Sequence, residues 1–386
     1  MRRTLVAMAL VAGVVGLAAC DTSDGFWNYH PLEVQGTFEP LVGDFAGDGA
    51  SDVFWYAPGP AADSLWIGRR GARGASTFRR MGQRVSGDYR TVVGDFAGDG
   101  HEDILWYAPG PRADSLWVSR GDGTFAARSV SITGYFDDAV RLRDYQGGKD
   151  DILWHTRVTD RPEYRWRLDD GGSGTYVSDR LELTDFASPT VGDWDGDGYE
   201  DVLWSNPNDR TKTYWLLPPD GSVVERELVL NGASQPTVVY DLPRDGILWW
   251  HDGAGAEKYT RPDASATFAS VPVRTVDGTG RVTTFPVGAA IISGPQVYDG
   301  LFVGTESGGE FYGLASEGHE KGSQLPVVGD FDGDGWSDVL WYAPGDAADE
   351  LWYIEPPAGD GSGAARALQG NPHGRPSAEA AAADPG

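Results

Sequence analysis

Two stretches of the 386-residue chain each place four aspartates within nine residues, a spacing suited to a hard cation. They run from Asp193 to Asp201 and from Asp330 to Asp338, with aspartate at positions 1, 3, 5 and 9 and glycine at position 6. Such carboxylates can surround a calcium ion, with a backbone carbonyl from position 7. The predicted ligands of these two full loops are Asp193, Asp195, Asp197, Tyr199 and Asp201, and Asp330, Asp332, Asp334, Trp336 and Asp338.

Two thinner loops repeat this frame with one carboxylate fewer, because Ala46 and Ala97 stand at position 3. We expect them to be weaker or empty calcium sites, with the ligands Asp44, Asp48 and Asp52, and Asp95, Asp99 and Asp103. The alternative is that all these loops are Asx turns that hold their own backbone without an ion. Four unneutralised carboxylates in nine residues would repel one another, which favours calcium in the full loops.

The residues after each acidic loop argue against an EF-hand. Position 12 is Trp204 or Trp341 rather than the bidentate glutamate of that motif. The following residues, such as Val339-Leu-Trp-Tyr342, are β-branched and aromatic, which is typical of strands. Each loop is therefore predicted to connect two strands.

Degenerate copies of the loop extend the pattern to a repeat of about fifty residues. The copies begin at Asp44, Asp95, Asp144, Asp193, Asp241, Asp299 and Asp330. Each unit contains four short apolar segments, and twelve of the fifteen tryptophans fall in the second or third segment, where we expect them to pack between units. The sequence predicts an all-β fold, a seven-bladed β-propeller of four-stranded antiparallel blades.

The acidic loops and their flanking strands resemble the FG-GAP/VCBS repeat family, which includes the integrin α-subunit propeller. The resemblance covers about residues 26–360 and implies a seven-bladed propeller with calcium in loops between first and second strands. The chain departs from the family pattern at Ala46 and Ala97, and its third, fifth and sixth units are predicted to be metal-free.

A second motif, Tyr-Ala-Pro-Gly followed by a conserved spacing to aspartate, occurs in the first, second and last units. It is predicted to lie on the face opposite the acidic loops. One interpretation is a contiguous binding arc for a sugar or a protein loop, and the other is a copied Pro-Gly turn. The residues of this possible ligand arc are Tyr56, Asp63, Tyr107, Asp114, Tyr342 and Asp349.

The N-terminal segment has the features of an export signal. Arg2 and Arg3 precede an apolar run that ends at Cys20, the only cysteine of the chain. We interpret residues 1–19 as a lipoprotein signal peptide and Cys20 as the lipid attachment site, which predicts a membrane-anchored lipoprotein on the outer face of the cell envelope. An ordinary signal peptide with an incidental cysteine is the alternative.

The mature chain is predicted to form one propeller over residues 20–360, followed by a Pro/Gly/Ala-rich disordered tail over 361–386. Either Pro31–Val34 or Arg366–Leu368 could supply the outer strand that closes the ring. The net charge of −27 argues against nucleic-acid binding, and the membrane is expected to be contacted through the lipid alone.

No catalytic motif accompanies these features in the sequence. The favoured function is a monomeric, non-catalytic, calcium-stabilised binding or adhesion module for glycan or protein ligands. The alternative is a polysaccharide-active enzyme, a lyase or glycosidase, with its site at the mouth of the propeller channel.

Overall fold

Strands make up almost all the regular structure in the part of the chain that the computed structural model describes. The described residues are 27–144, 148–158, 162–168, 176–181, 187–206, 211–229, 235–239, 244–250, 258–263, 265–271, 281–284, 289–293, 300–305, 308–313 and 324–354. The signal peptide, Cys20, the tail and Arg366–Leu368 lie outside these residues. Within them, no helix is long and apolar enough to cross a membrane.

The strands pair into four-stranded antiparallel sheets, numbered here in chain order. Sheet 1 contains β2 (Glu39–Gly43), β3 (Asp52–Tyr56), β4 (Asp63–Gly68) and β5 (Phe78–Gln83). Sheet 2 contains β6 (Arg90–Gly94), β7 (Asp103–Tyr107), β8 (Asp114–Ser119) and β9 (Phe125–Val130). Sheet 3 contains β10 (Asp138–Leu142), β11 (Asp151–His155), β12 (Glu163–Leu168) and β13 (Tyr176–Leu181).

The remaining sheets repeat this order. Sheet 4 contains β14 (Ser188–Gly192), β15 (Asp201–Ser205), β16 (Thr211–Leu216) and β17 (Val224–Val229). Sheet 5 contains β18 (Gln235–Val239), β19 (Gly246–Trp250), β20 (Lys258–Pro262) and β21 (Phe268–Val271). Sheet 6 contains β22 (Arg281–Thr284), β23 (Ala289–Ser293), β24 (Gly300–Thr305) and β25 (Gly308–Gly313). Sheet 7 contains β26 (Leu325–Gly329), β27 (Asp338–Tyr342), β28 (Asp349–Ile354) and, as its fourth strand, β1 (Trp27–Leu32).

The second strands of sheets 1 to 5 and 7 form the centre of the described core. In β3, β7, β15 and β27 every residue is buried, as expected for strands covered on both faces by neighbouring sheets. Fully buried tryptophans recur in these strands, and they pack at right angles or tilted against aromatic rings of the same and the adjacent sheet. Trp106, for example, lies 5.3 Å from Trp117 of its own sheet and 5.0 Å from Tyr56 of sheet 1. The predicted packing of tryptophan between units is confirmed.

The first strands of successive sheets lie side by side, which places them around a common centre. Such neighbours are β2 and β6, β6 and β10, β10 and β14, β14 and β18, β18 and β22, and, across the chain ends, β26 and β2. This arrangement confirms an all-β propeller of four-stranded antiparallel blades.

Sheet 7 is completed by the N-terminal strand. β1 pairs antiparallel with β28, from Trp27 opposite Ile354 to Leu32 opposite Asp349. Beyond the strand, Val34 N–H donates to Asp349 Oδ2 over 2.6 Å. Of the two closing segments that the sequence left open, the one at Pro31–Val34 fills the fourth-strand position.

Candidate metal centre

The acidic loops all lie at the same end of their sheets, between first and second strands. In the full loops the glycines at positions 4 and 6 have positive φ, for instance 80° at Gly196 and 90° at Gly198. A side chain is strained in this conformation, so glycine lets the chain turn back on itself and aim several backbone N–H groups inward. The position of the loops and their glycine turns are as the sequence predicts.

The aspartate at position 1 organises each loop by accepting backbone N–H groups. In the first full loop Gly196 N–H donates to Asp193 Oδ1 (2.6 Å) and Gly198 N–H donates to Asp193 Oδ2 (2.9 Å). In the second, Gly335 N–H donates to Asp330 Oδ2 over 2.9 Å. The Asx turns considered from the sequence as the alternative to calcium sites are therefore present. They bring the acidic side chains of each loop together.

The aspartate at position 9 fastens the loop to its own sheet. Asp201 accepts from Trp194 N–H (2.9 Å) and, with its other oxygen, from Leu217 N–H after the third strand (2.8 Å). Asp338 accepts from Phe331 N–H over 2.8 Å, and its Oδ1 has no hydrogen-bond partner among the described residues. In Asp52, Asp103 and Asp201 the same oxygen accepts the N–H at the end of the third strand.

Carboxylate oxygens converge in both full loops. Asp193, Asp195 and Asp197 bring oxygens within 4.8 Å of one another, and so do Asp330, Asp332 and Asp338. Among the described residues, no other three carboxylate, histidine or cysteine side chains bring their ligand atoms this close together. An all-oxygen donor set of this size fits calcium, and the thin loops, which lack the position-3 carboxylate, do not form such a cluster.

Burial makes these carboxyl groups reluctant to ionise in the absence of a cation. Desolvation, reinforced by the charges of neighbouring loop aspartates, raises the pKa of Asp197 and of Asp330 to about 6. The pKa of Asp201 and of Asp338 is raised well above the ordinary value for the same leading cause. A bound divalent cation would offset both effects, because it favours the ionised form.

In the thin loops, burial likewise raises the pKa of the aspartate at position 9. Burial raises the pKa of Asp52 and of Asp103 to about 8. Each side chain also accepts two backbone N–H groups, at 2.8 Å from Ala46 and Gly68 for Asp52 and at 2.9 and 2.8 Å from Ala97 and Ser119 for Asp103. Position 9 is therefore a structural anchor in loops with and without a carboxylate cluster.

Arginines from the following sheet contact the full loops in two different ways. Arg73, in the loop between β4 and β5, pairs with Asp332 (2.7 Å) and with Asp334 (3.1 Å) of the second full loop. Arg244, just before β19, donates instead to the backbone carbonyl of Asp195 over 3.0 Å. The second full loop thus has a guanidinium on two of its predicted calcium ligands, a feature that sequence reasoning missed because the residues are 259 and 261 positions apart.

A reciprocal clasp between adjacent sheets was also missed. In each pair, the side chain of the residue before position 9 accepts the backbone N–H of the position-1 residue in the preceding sheet. Its own backbone N–H donates to the carbonyl of that position-1 residue. Asp193 and Asp245 show both halves, with Asp193 N–H to Asp245 Oδ2 at 2.8 Å and Asp245 N–H to the Asp193 carbonyl at 2.9 Å. The other pairs are Asp330 with Ser51, Asp44 with Glu102, Asp95 with Asp150, and Arg143 with Glu200. The recurrence of a polar residue before position 9 was the available signal.

The Tyr-Ala-Pro-Gly motif is buried and internally bonded. Its three tyrosines are 0% exposed and its aspartates 1–5%, namely Tyr56, Tyr107 and Tyr342, and Asp63, Asp114 and Asp349. Asp114 accepts from Ala108 N–H (2.9 Å) and Ile132 N–H (3.1 Å), and Tyr107 accepts from Phe136 N–H (2.9 Å). Two interpretations of this motif follow from the sequence, a binding arc and a copied Pro-Gly turn. The turn accounts for these contacts, and the six buried side chains do not form an exposed arc.

Sheet 3 carries a variant of this arrangement. His155 stands where other sheets have the tyrosine, and Glu163 stands where they have the aspartate. His155 Nδ1 lies 3.2 Å from Glu163 Oε2, both side chains are buried, and Glu163 accepts from Thr156 N–H over 3.0 Å. The pair therefore belongs to the interior of the fold rather than to a channel mouth.

Comparison with known proteins identifies the repeat and the fold. Residues 322–365 match the FG-GAP repeat family. None of the curated protein sequences is significantly similar to the chain. A solved structure of an Agrocybe aegerita lectin, described for its specific recognition of non-reducing terminal N-acetylglucosamine, superposes with a TM-score of 0.53 at 13% identity, covering 89% of this chain and 97% of the lectin.

Two other solved structures are more distant. A functionally unknown protein from Desulfotomaculum acetoxidans DSM 771 gives a TM-score of 0.47 at 13% identity, over 72% of this chain and 85% of that one. The exotype rhamnogalacturonan lyase YesX gives 0.46 at 13% identity, over 85% of this chain and 72% of the lyase. Residues 322–365 therefore contain an FG-GAP repeat, which lies in sheet 7 of a β-propeller fold.

Proposed function

We propose that the protein is a non-catalytic glycan-binding propeller stabilised by calcium in its two full acidic loops. The convergence of three carboxylates in each full loop carries the calcium part. The glycan part is supported by the likeness in fold to a lectin over nearly the whole of both chains.

Calcium binding is tested by titration calorimetry on the full chain with Cys20→Ser, which removes the proposed lipid site. We expect two tighter sites, one of which is lost in Asp197→Ala and the other in Asp332→Ala. Asp88→Ala is the matched control, because the Asp88 side chain is 69% exposed and lies outside the acidic loops. Unchanged stoichiometry in both loop variants would show that these loops are turns only.

Glycan binding is tested by screening the same chain on a glycan array in the presence of calcium, followed by product analysis of each bound glycan. We expect retention without turnover. Release of shortened or unsaturated products would instead support the polysaccharide-active enzyme, and absence of any bound glycan would leave protein ligands as the class to test.

We infer that the described sheets 1 to 7 are blades of one closed ring. Support comes from the neighbouring first strands, from the β1–β28 pairing and from the Gly36–Gly345 bridge, in which Gly345 N–H donates to the Gly36 carbonyl over 2.7 Å. Small-angle scattering of the purified chain would distinguish a closed disc from an open arc of sheets.

We also propose export and anchoring through Cys20, with residues 1–19 removed. The support is the basic start, the short apolar run and the position of the single cysteine. Fatty-acid labelling of the chain in a bacterial host should depend on Cys20, so labelling that persists in Cys20→Ser would refute this assignment.

A further inference from the structure

A groove of about 480 Å³ runs along the side of the propeller between sheets 2 and 3. One wall is formed by β9 and the segment after it, including Ser131 and Thr133. The other wall is formed by β12 and β13, including Tyr164, Trp166 and Tyr176. This volume falls in the range of about 300–1,000 Å³ that small-molecule sites occupy.

The aromatic wall of the groove is held rigidly. Trp166 lies 5.0 Å from the buried Trp154 and 4.8 Å from Tyr176, ring centre to ring centre. Both Trp166 and Tyr176 are only partly buried. The wall therefore offers preorganised aromatic surface, which limits the entropy lost when a ligand stacks on it.

Tyr176 brings an unsatisfied polar atom to this wall. Its hydroxyl is buried and has no hydrogen-bond partner among the described residues, and burial raises its pKa to about 12, so it remains a neutral donor and acceptor. The equivalent ring beside the third-strand tryptophan is Phe78 in sheet 1, 5.6 Å from Trp66, and Phe125 in sheet 2, 5.6 Å from Trp117. Sheet 3 alone among these three adds a hydroxyl that a ligand could satisfy.

The residue opposite Trp166 is too small to cover its ring. Trp166 is paired in register with Ser178, whose side chain is small and exposed. In sheet 1 the same register position is Arg80, whose guanidinium stacks 3.8 Å above the Trp66 ring. In sheet 4 it is Glu225, which accepts from Trp215 Nε1 over 3.2 Å. In sheet 2 it is the small Ala127, so sheets 2 and 3 both lack a covering side chain at this position, and of these two tryptophans only Trp166 lines the groove.

The chemistry of the lining favours a neutral sugar. Serine, threonine and tyrosine hydroxyls rim the aromatic surface, and none of the described residues that line the groove is charged. Aromatic rings pack against the C–H face of a pyranose while hydroxyl groups exchange hydrogen bonds with it. The net charge of −27 further disfavours acidic sugars. We propose that the groove between sheets 2 and 3 is a binding site for a neutral pyranose, a proposal that rests on the glycan-binding function above.

The test uses the full chain with Cys20→Ser and follows tryptophan fluorescence while chitotriose, cellotriose and trigalacturonic acid are added separately. We expect at least one neutral trisaccharide to bind and the acidic one not to. Ser178→Arg, which copies the arginine of sheet 1 onto an exposed position, should weaken that binding at least tenfold. Tyr176→Phe should weaken it about threefold to tenfold, the effect of one hydrogen bond.

Ala127→Arg is the matched control, because it places an arginine opposite Trp117 at the same register position of sheet 2. It should leave binding unchanged, and circular dichroism should show that all variants are folded. Full affinity in Ser178→Arg and Tyr176→Phe would overturn the groove assignment while leaving glycan binding intact. Failure of both neutral probes to bind would overturn the groove assignment, and the glycan array then decides the proposed function separately.

Discussion

Arg73 places a positive charge against the carboxylates that are expected to bind calcium in the second full loop. Its guanidinium lies 2.7 Å from Asp332 and 3.1 Å from Asp334 and is one-third exposed. Calcium must displace or share these contacts, so we expect Arg73→Gln to tighten calcium binding at this loop. Because partly exposed ion pairs contribute weakly, the expected gain is about threefold.

Calorimetry at low ionic strength measures the change in affinity. Arg79→Gln is a suitable control, because Arg79 is exposed in β5 and its side chain donates to Met81 Sδ over 3.0 Å, away from the acidic loops. Equal or weaker calcium binding in Arg73→Gln would mean that the arginine holds the loop in its binding geometry instead of competing with the ion.

Asp114 shows how a single buried carboxylate can hold a turn. It accepts two backbone N–H groups, from Ala108 and Ile132, and is 5% exposed. Asp114→Ala would leave both groups without an acceptor, so we expect a loss of about 2–4 kcal/mol in unfolding free energy. Denaturant unfolding measures it, with the exposed Asp88→Ala as control, and a loss below about 0.5 kcal/mol would contradict the assigned role.

At this scale the sequence reveals which residues recur but not what each one contacts. The aspartates at positions 1, 3, 5 and 9 look equivalent as calcium ligands, yet positions 1 and 9 also hold the loop backbone. Tyr107 and Asp114 look like an exposed motif because tyrosine and aspartate are often found at binding surfaces. Their burial depends on the contact between the second and third strands of sheet 2 and the next sheet. This is a long-range contact that residue identity alone does not specify.

The acidic loops, as elements, should make stability depend on pH to an extent that calcium changes. Burial raises the pKa of Asp52 and Asp103 from the ordinary 3.8 to about 8, and the pKa values of Asp197 and Asp330 to about 6. The folded chain therefore binds more protons than the unfolded chain between about pH 4 and 8. In chelator, the unfolding midpoint should fall as the pH rises through this window.

Saturating calcium should remove the part of that trend that comes from Asp197 and Asp330, since a bound cation stabilises the ionised carboxylates of the full loops. The part that comes from Asp52 and Asp103 in the thin loops should persist. Thermal unfolding from pH 5 to 8, with calcium and with excess chelator, provides the comparison. Identical pH profiles under the two conditions would contradict calcium binding in these loops.

Elements were more predictable than side-chain contacts because their signals are local. Glycine turns fix where the loops bend, and runs such as Asp103–Tyr107 are too apolar to lie anywhere but between sheets. The loop of sheet 3 was harder to align, because the repeat was counted from Asp144 and so looked one residue short. The pairing of Leu142 with Asp151 gives it the same length as the loops of sheets 1, 2, 4 and 7, so Arg143 stands at position 1 and makes the clasp.

Over the whole molecule, the period of about fifty residues predicts the propeller, but it cannot decide which chain end closes it. Both candidate closing strands are short, and each contains an apolar residue that could face the core. The difference lies in the pairing of β1 with β28 and in Asp349, which accepts from Val34 N–H on one side and from Ala343 N–H on the other. The same buried aspartate that holds the turn of sheet 7 thus joins the two ends of the chain.

This pairing predicts the effect of trimming the N-terminus. A chain that begins at residue 27 keeps β1, whereas one that begins at residue 36 loses it together with the buried Leu32 and Val34. Two buried aliphatic side chains contribute about 3–6 kcal/mol, and β28 would in addition become an open edge prone to pairing with other chains. We expect a clearly lower unfolding midpoint and concentration-dependent aggregation for the shorter chain. A synthetic peptide spanning residues 27–36 should restore the midpoint, and removal of residues 361–386 should leave it unchanged. If the chains beginning at residues 27 and 36 unfold at the same midpoint, β1 does not close the propeller in solution.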